Sequence, residues 1–368
     1  MKQVVAPSSS REPGTLQYGV LHSQGTFFDV PISSAPVAVR SDGSVVGATC
    51  SGVVAFDATL HETGRVDLDS RSNAFAVNVA VAPDDAVYAL VPEGMIRIDD
   101  LDHVSTAREA RWITPVGATL GVLVAGTEGP YTEPDSDFGV PPQNFTIHGF
   151  DALTGQPRTV ASGQYLLAAA RGGGVFTVEQ QGKQSATLRR LDPDGTAVWS
   201  RTLTSTFDGL VIQGAAAAAD GGVIVFGDSP TPVDFGDRTL ASPGQFVAGF
   251  DVSGMTRWGF TSASFITHIA QTAQGEILIA GDTALGGGEG AFSTDASLSV
   301  ATQAGISRTL YIRGPGDQRI TGLAATPDGF AWIAVTNFRH DDPEPEPVIQ
   351  IGAHTFPDSG GYLFKIVP

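Results

Sequence analysis

Acidic side chains, with a few aromatic and histidine residues, are concentrated in the longest predicted loops of this sequence. These loops cover residues 127–144, 228–234, 282–292 and 337–348. Loops held on a rigid scaffold often carry function, and carboxylates are strong hydrogen-bond acceptors. The pattern therefore predicts a binding surface for a protein or a glycan. Its candidate residues are Tyr131, Glu133, Asp135, Asp228, Asp282, His340, Asp341 and Asp342.

Part of this acidic set could bind a metal ion. The run His340-Asp341-Asp342 is compact enough for a transition metal, whereas Asp135-Ser136-Asp137 supplies two carboxylates without the spacing of a calcium loop. No cofactor is predicted, and a divalent cation such as Ca²⁺ is left open, with His340, Asp341 and Asp342 as candidate ligands. The alternative is a solvated acidic loop.

One histidine is a candidate for catalysis. His268 lies in the run 265–270, which has the composition of an innermost strand and could face a central channel. The seven histidines form no HxH or HExxH motif. His268 is therefore interpreted either as a structural histidine or as the catalytic residue of an enzyme.

Composition narrows the classes of partner. The formal net charge of the 368 residues is −18, which opposes binding to nucleic acid and to anionic lipid. The single cysteine, Cys50, rules out an intrachain disulfide, and no apolar run approaches the length of a membrane span. Residues 1–14 are interpreted as a flexible leader, left after removal of a signal or anchor, although a cytosolic protein could begin in the same way.

A polar hairpin turn followed by a β-branched run recurs along the chain. One copy is Asp220-Gly221-Gly222 before Val223-Ile224-Val225. Such turns need the positive φ that glycine supplies. The copies occur at 42–43, 83–85, 119–121, 172–174, 220–222, 274–275 and 327–329.

Seven repeats without helical periodicity predict an all-β fold, a seven-bladed β-propeller with four-stranded antiparallel blades. The propeller is predicted as a single domain over residues 15–368. The expected blades are 34–70, 75–114, 115–162, 163–206, 209–262, 264–312 and 318–368. The last blade lacks a fourth strand, which we expect the N-terminal strand 25–30 to supply. The run 16–21 also has strand character and is left unplaced.

The longest internal match aligns residues 233–250 with 349–366 without gaps. The line Asp234-Phe235-Gly236, then Phe246-Val247-Ala248-Gly249-Phe250-Asp251 and Trp258, resembles the SBBP-type β-propeller repeats of bacterial secreted and surface proteins. The resemblance covers about half of the chain. It implies the propeller fold and an extracytoplasmic setting, and it implies no particular chemistry.

Three functions are compatible with these observations. The leading expectation is a non-enzymatic, secreted or surface propeller that binds a protein or a glycan through its acidic long-loop face, without membrane insertion. The alternatives are a hydrolase or lyase with His268 at the mouth of a central channel, and a structural module of a larger assembly.

Overall fold

The structure is a computed structural model, and it confirms the all-β class. The described residues contain strands and turns and no helix. None of them therefore belongs to a helix with the length and hydrophobicity of a membrane span. The described residues are 16–19, 37–49, 52–59, 61–67, 78–81, 85–91, 94–100, 103–107, 116–119, 122–125, 146–151, 157–170, 173–284, 294–314, 317–338, 348–352, 354–357 and 361–367.

Short β-branched and aromatic runs between glycine, proline and aspartate clusters form the strands, as their propensities predict. In chain order, the strands are β1 Leu16–Gly19, β2 Val37–Val39, β3 Val45–Thr49, β4 Gly52–Phe56, β5 Glu62–Asp67, β6 Asn78–Val81, β7 Val87–Val91, β8 Gly94–Asp100, β9 His103–Ala107, β10 Val116–Thr119, β11 Val122–Ala125, β12 Thr146–Asp151, β13 Pro157–Ser162, β14 Tyr165–Ala169, β15 Val175–Gln180, β16 Ser185–Leu191, β17 Ala197–Ser205, β18 Val211–Ala217, β19 Val223–Ser229, β20 Val233–Asp234, β21 Thr239–Leu240, β22 Gly244–Phe250, β23 Thr256–Ser262, β24 Phe265–Gln271, β25 Ile277–Ala284, β26 Thr294–Thr302, β27 Gly305–Arg313, β28 Asp317–Ala325, β29 Ala331–Phe338, β30 Val348–Ile351, β31 His354–Pro357 and β32 Gly361–Ile366.

The described strands form seven sheets, five with four strands and two with six, and in the two larger sheets a short ribbon of two strands extends a four-stranded unit. We number them along the chain. Sheet 1 is β2-β3-β4-β5, sheet 2 is β6-β7-β8-β9, sheet 3 is β10-β11-β12-β13, sheet 4 is β14-β15-β16-β17, sheet 5 is β18-β19-β22-β23, sheet 6 is β24-β25-β26-β27 and sheet 7 is β28-β29-β32-β1. This confirms the predicted four-stranded antiparallel units.

The chain divides into two compact units. Unit 1 is Met1–Val79, Ser264–Thr302 and Ile306–Pro368, and unit 2 is Ala80–Ala263 and Gln303–Gly305. In unit 2, sheets 4 and 5 share a core that includes the buried rings of Phe176, Phe235, Phe246 and Phe250. In unit 1, sheets 6 and 7 share a second core, which includes Leu278, Leu298, Ile320, Leu323 and Ile333. Burial of these side chains supplies most of the stabilising free energy of each unit.

The internal match 233–250 with 349–366 corresponds to a shared structural device. In both copies a short two-stranded ribbon, β20-β21 or β30-β31, pairs with the outermost strand of the preceding sheet and leads into the next strand. Val233 pairs with Ser205 in sheet 4, and Ile351 pairs with Ile312 in sheet 6. The predicted long loop 228–234 therefore ends in paired backbone, and the loop 337–348 leads into it.

The last sheet is closed by an N-terminal strand, but it is not the predicted one. Leu16 pairs with Ile366 and Gly19 with Phe364, so β1 occupies the outer position of sheet 7. The expected strand 25–30 lies outside the described residues, and the position assigned to it is taken by 16–19. An unpaired strand edge attracts further strands, and Leu16, Gln17 and Tyr18 supply the extended run that covers it.

A tight turn joins the third and fourth strands of several sheets. In sheet 5, Asp251 Oδ1 accepts hydrogen bonds from Ser253 N at 2.8 Å, Ser253 Oγ at 2.6 Å and Met255 N at 3.1 Å. These bonds, led by that of the Ser253 side chain, lower the pKa of Asp251 to about 2. Asp57 and Asp192 hold equivalent turns.

We therefore expect Asp251→Asn to destabilise the protein above pH 5, by about 1 kcal/mol. A carboxyl pKa that folding lowers from 3.8 to about 2 contributes stability above pH 3.8, and that contribution is lost as the pH falls toward 2. The difference in urea midpoint between wild type and the variant should shrink over this range. An equal difference at pH 7 and pH 3 would contradict the assignment.

Candidate functional site

The structure describes three of the predicted site residues. Asp228 lies in β19, Asp282 lies in β25 and His268 lies in β24. All three side chains are half-buried in paired strands, so they do not lie in free loops. The other six lie outside the described residues, and their role stays a prediction: Tyr131, Glu133, Asp135, His340, Asp341 and Asp342.

A β-bulge recurs at one position of the innermost strand. The register shifts between Ile212 and Gly214 in β18, between Ile266 and His268 in β24, and between Ile320 and Gly322 in β28. The extra residues are Gln213, Thr267 and Thr321. Bulges re-aim side chains and are frequent beside active sites.

The residue after this bulge sets sheet 6 apart. Sheets 5 and 7 have glycine there, and a Cβ on Gly214 would lie 2.6 Å from the ring of Phe226 on the adjacent strand. Sheet 6 has His268, opposite Ala280. In sheet 5 a glycine faces the large Phe226, whereas in sheet 6 a histidine faces the small Ala280. The small partner leaves room for the imidazole.

A carboxylate lies on the same face as this imidazole. Asp282 pairs with Phe265 and is two residues beyond Ala280, the partner of His268. Paired residues and residues two apart in a strand share one face of a sheet, so His268 and Asp282 are diagonal neighbours. Asp228 occupies the same position in sheet 5, where its diagonal neighbour is Gly214 instead of a histidine. The predicted residues His268 and Asp282 are thus brought together.

The opposite wall of this site belongs to sheet 7. Ala280 and Leu298, on the face of His268, pack in one apolar cluster with Ile320 and Leu323 of β28. Gln318 is two residues before Ile320 and is fully buried. Because alternate residues of a strand share a face, its amide belongs to the side of sheet 7 that packs on sheet 6. Sequence reasoning did not identify Gln318.

Thr267, the residue before His268 in β24, links the imidazole to the backbone of β25. Its Nδ1 lies 3.1 Å from Thr267 Oγ1, and that hydroxyl donates to the carbonyl oxygen of Ala280 at 3.3 Å. Thr267 is buried, whereas the imidazole is only half-buried. An imidazole that is fixed at one nitrogen and beside a carboxylate can act as a general base or acid.

A buried carboxylate lies on the other face of sheet 6. Asp295 pairs with Thr283, which is adjacent to Asp282 and therefore points the opposite way. Burial raises the pKa of Asp295, and the guanidinium of Arg313, 3.4 Å away, opposes that shift. Asp295 is thus held in an ion pair away from His268. Among the described residues, no three His, Cys, Asp or Glu side chains are grouped as a metal site.

Comparison with known proteins identifies a fold. No protein-family model matches the sequence, and no curated protein sequence matches it. A chain of the mitotic checkpoint complex has a TM-score of 0.58 at 11% identity, with 92% of this chain and 97% of that chain covered.

Two further solved structures are oligogalacturonate lyases. One, in complex with manganese, has a TM-score of 0.52 at 12% identity and covers 99% of this chain and 96% of its own. The other, from Vibrio parahaemolyticus, has a TM-score of 0.55 at 12% identity and covers 100% and 96%. At these identities the likeness shows a propeller-like fold.

The leading expectation from the sequence, a non-enzymatic binding propeller, is wrong. The like-folded structures include two lyases, which favour the lyase alternative over a binding protein. That expectation depended on the length and acidity of the loops, which can be read from the sequence without the strand register. The position of His268 and Asp282 on one face of the sheet depends on register, which loop length and acidity do not reveal.

Proposed function

We propose that this protein is a lyase, with His268 as the general base and Asp282 as the carboxylate whose charge stabilises the imidazolium. The observation that supports the proposal is the position of both side chains on one face of β24 and β25. Of the three sheets that share the bulge, sheet 6 is the one that combines a histidine with the aspartate.

The proposed reaction is β-elimination in a uronate chain. His268 removes the proton on the carbon next to the substrate carboxylate, a carbon–carbon double bond forms, and the glycosidic bond to the leaving oxygen breaks as that oxygen takes up a proton. Asp282 favours the charged imidazolium formed in the first step. A hydrolase is the second candidate, because the same pair could activate water.

Oligogalacturonate is the substrate class to test first, since two like-folded proteins are named for it. A substrate of this class is anionic, and the chain carries a net charge of −18. A divalent cation could offset this repulsion, so the proposal includes one without naming the metal or its ligands. His268 and Asp282 supply two ligands, fewer than Ca²⁺ or Mn²⁺ binds, so the described residues do not by themselves fit a cation site and no step is assigned to one.

The test compares Asp282→Asn with Asp228→Asn on oligogalacturonate. We expect the wild type to form an unsaturated product, detected by its ultraviolet absorbance. Asp282→Asn should lower kcat by about tenfold or more. Asp228→Asn should have little effect, because the diagonal neighbour of Asp228 is a glycine and not a histidine. New reducing ends without the absorbance would support the hydrolase instead.

Three outcomes would contradict the proposal. One is no cleavage of oligogalacturonate or of a neutral oligosaccharide, with or without added Mn²⁺ or Ca²⁺. Another is cleavage that both aspartate variants lower equally, since this would reflect overall charge. The third is cleavage that neither variant changes.

We further propose that the seven sheets are the seven blades of one propeller. Support comes from the repeated strand order and from β1 in the outer position of sheet 7. The resemblance to SBBP repeats and the extracytoplasmic setting stay predictions from the sequence. A single cooperative unfolding transition, followed by both near- and far-ultraviolet circular dichroism, is expected of one closed ring.

A further inference from the structure

The bulged residue beside His268 has a hydroxyl with one proton and two neighbours. Thr267 Oγ1 lies 3.3 Å from the carbonyl oxygen of Ala280 and 3.1 Å from His268 Nδ1. A carbonyl oxygen can only accept a hydrogen bond, so the Thr267 proton is directed to Ala280. The hydroxyl then has only lone pairs to offer the imidazole.

This accounting determines where the imidazole carries its proton. A neutral imidazole has one N–H and one lone pair, and the hydrogen bond made by one nitrogen decides which is which. Because Thr267 Oγ1 accepts, His268 Nδ1 must donate. The tautomer with the proton on Nδ1 leaves the basic lone pair on Nε2.

The strand geometry maintains this arrangement. Thr267 is the extra residue of the bulge, between the pair of Ile266 with Gly281 and the pair of His268 with Ala280. A Cβ on Gly281 would lie 2.2 Å from the carbonyl oxygen of Phe265, so only glycine allows the strands to approach this closely. The hydroxyl is buried and is therefore shielded from exchange of partners with solvent.

The threonine at the equivalent bulge of sheet 7 has no histidine to orient. Thr321 is the bulged residue of β28 and is followed by Gly322, which has no side chain to orient. Its Oγ1 is buried and, among the described residues, has no hydrogen-bond partner. Thr321 thus provides a matched position at which a threonine hydroxyl orients no histidine.

We infer that Thr267 is a positioning residue that holds His268 in the Nδ1–H tautomer and presents Nε2 as the base. The catalytic consequence rests on the proposed lyase function. The tautomer itself does not depend on that function, so an experiment can test the tautomer and the lyase proposal separately.

The test measures the tautomer by ¹⁵N nuclear magnetic resonance of the imidazole nitrogens. The His268 signals are assigned from their loss in His268→Gln. We expect the wild type to show a protonated Nδ1 at pH above the imidazole titration. Thr267→Val keeps the shape and removes the acceptor, so a substantial fraction should move to the Nε2–H tautomer. Thr267→Ser should restore the wild-type spectrum, and Thr321→Val should not change it.

Activity is the second readout. If the lyase proposal holds, Thr267→Val should lower kcat by about tenfold with little change in KM, and Thr267→Ser should recover most of it. A wild-type protein that shows the Nδ1–H tautomer but no cleavage would remove the lyase proposal and retain this inference. A wild-type imidazole protonated on Nε2, or a Thr267→Val spectrum identical to wild type, would overturn it.

Discussion

Replacement of His268 by alanine is expected to lower kcat on oligogalacturonate by about 10²- to 10⁴-fold, the range for loss of a general base. The imidazole is the one described group on its face of sheet 6 that can take a proton near neutral pH with a carboxylate beside it. The rising limb of kcat/KM against pH reports protonation of the base in the free enzyme. That limb should therefore be absent from the residual activity.

The matched control is His61→Ala. His61 is exposed in the turn between β4 and β5, where its Nδ1 contacts Thr59 Oγ1 at 2.9 Å and Asp57 Oδ2 at 3.5 Å. Its loss should leave both kcat and the pH profile unchanged. Steady-state kinetics on folded protein, checked by circular dichroism, decides the comparison. A His268→Ala variant with wild-type kcat would refute the role assigned to the histidine.

Gly222→Ala is expected to destabilise the protein by roughly 3 kcal/mol or more, the largest stability effect we predict. A Cβ on Gly222 would lie 2.0 Å from the carbonyl oxygen of Phe250 and 3.0 Å from Asp251 Cα. Both are backbone atoms, and the paired residues Val223 and Phe250 hold them in place. No side-chain rotation can therefore relieve the collision.

Gly259→Ala is the control for this glycine, in the same sheet. The nearest atoms to a Cβ there are Val247 O at 3.5 Å and Ala248 Cβ at 3.7 Å, which are ordinary contacts. We expect a change within about 0.5 kcal/mol, because alanine also restricts the unfolded chain. Urea unfolding of the three proteins gives the comparison. Equal midpoints for wild type and Gly222→Ala would show that the hairpin can shift.

The fold class was predictable because its signals are local. Each Asp-Gly or Gln-Gly pair sets a hairpin through a positive φ, as at Gly221 with φ 86° and Gly275 with φ 88°. The choice between 16–19 and 25–30 as the closing strand was not predictable. Both runs have a composition typical of a short strand, and only long-range pairing with β32 distinguishes them.

The site was predictable only in part. His268 was selected for its place in an innermost strand, and Asp282 for its place in an acidic loop, so nothing connected them. A signal was present in the repeats: the seventh residue before the hairpin glycine is Gly214, His268 or Gly322. Alignment on the hairpins would have shown the histidine as the exception. Gln318 could not have been found, because only sheet packing gives it a place beside them.

The pairing of β1 with β32 has a consequence for folding rate. It joins residues roughly 350 positions apart, and contacts of such separation carry a large loop-closure entropy that slows folding. On the ribosome, β1 is made early and has no partner until β32 follows, while sheets 4 and 5 can already pair from consecutive segments. Aggregation should therefore begin at the edge of β32 before β1 pairs with it, and mutations that weaken β1 should lower yield more than they lower equilibrium stability.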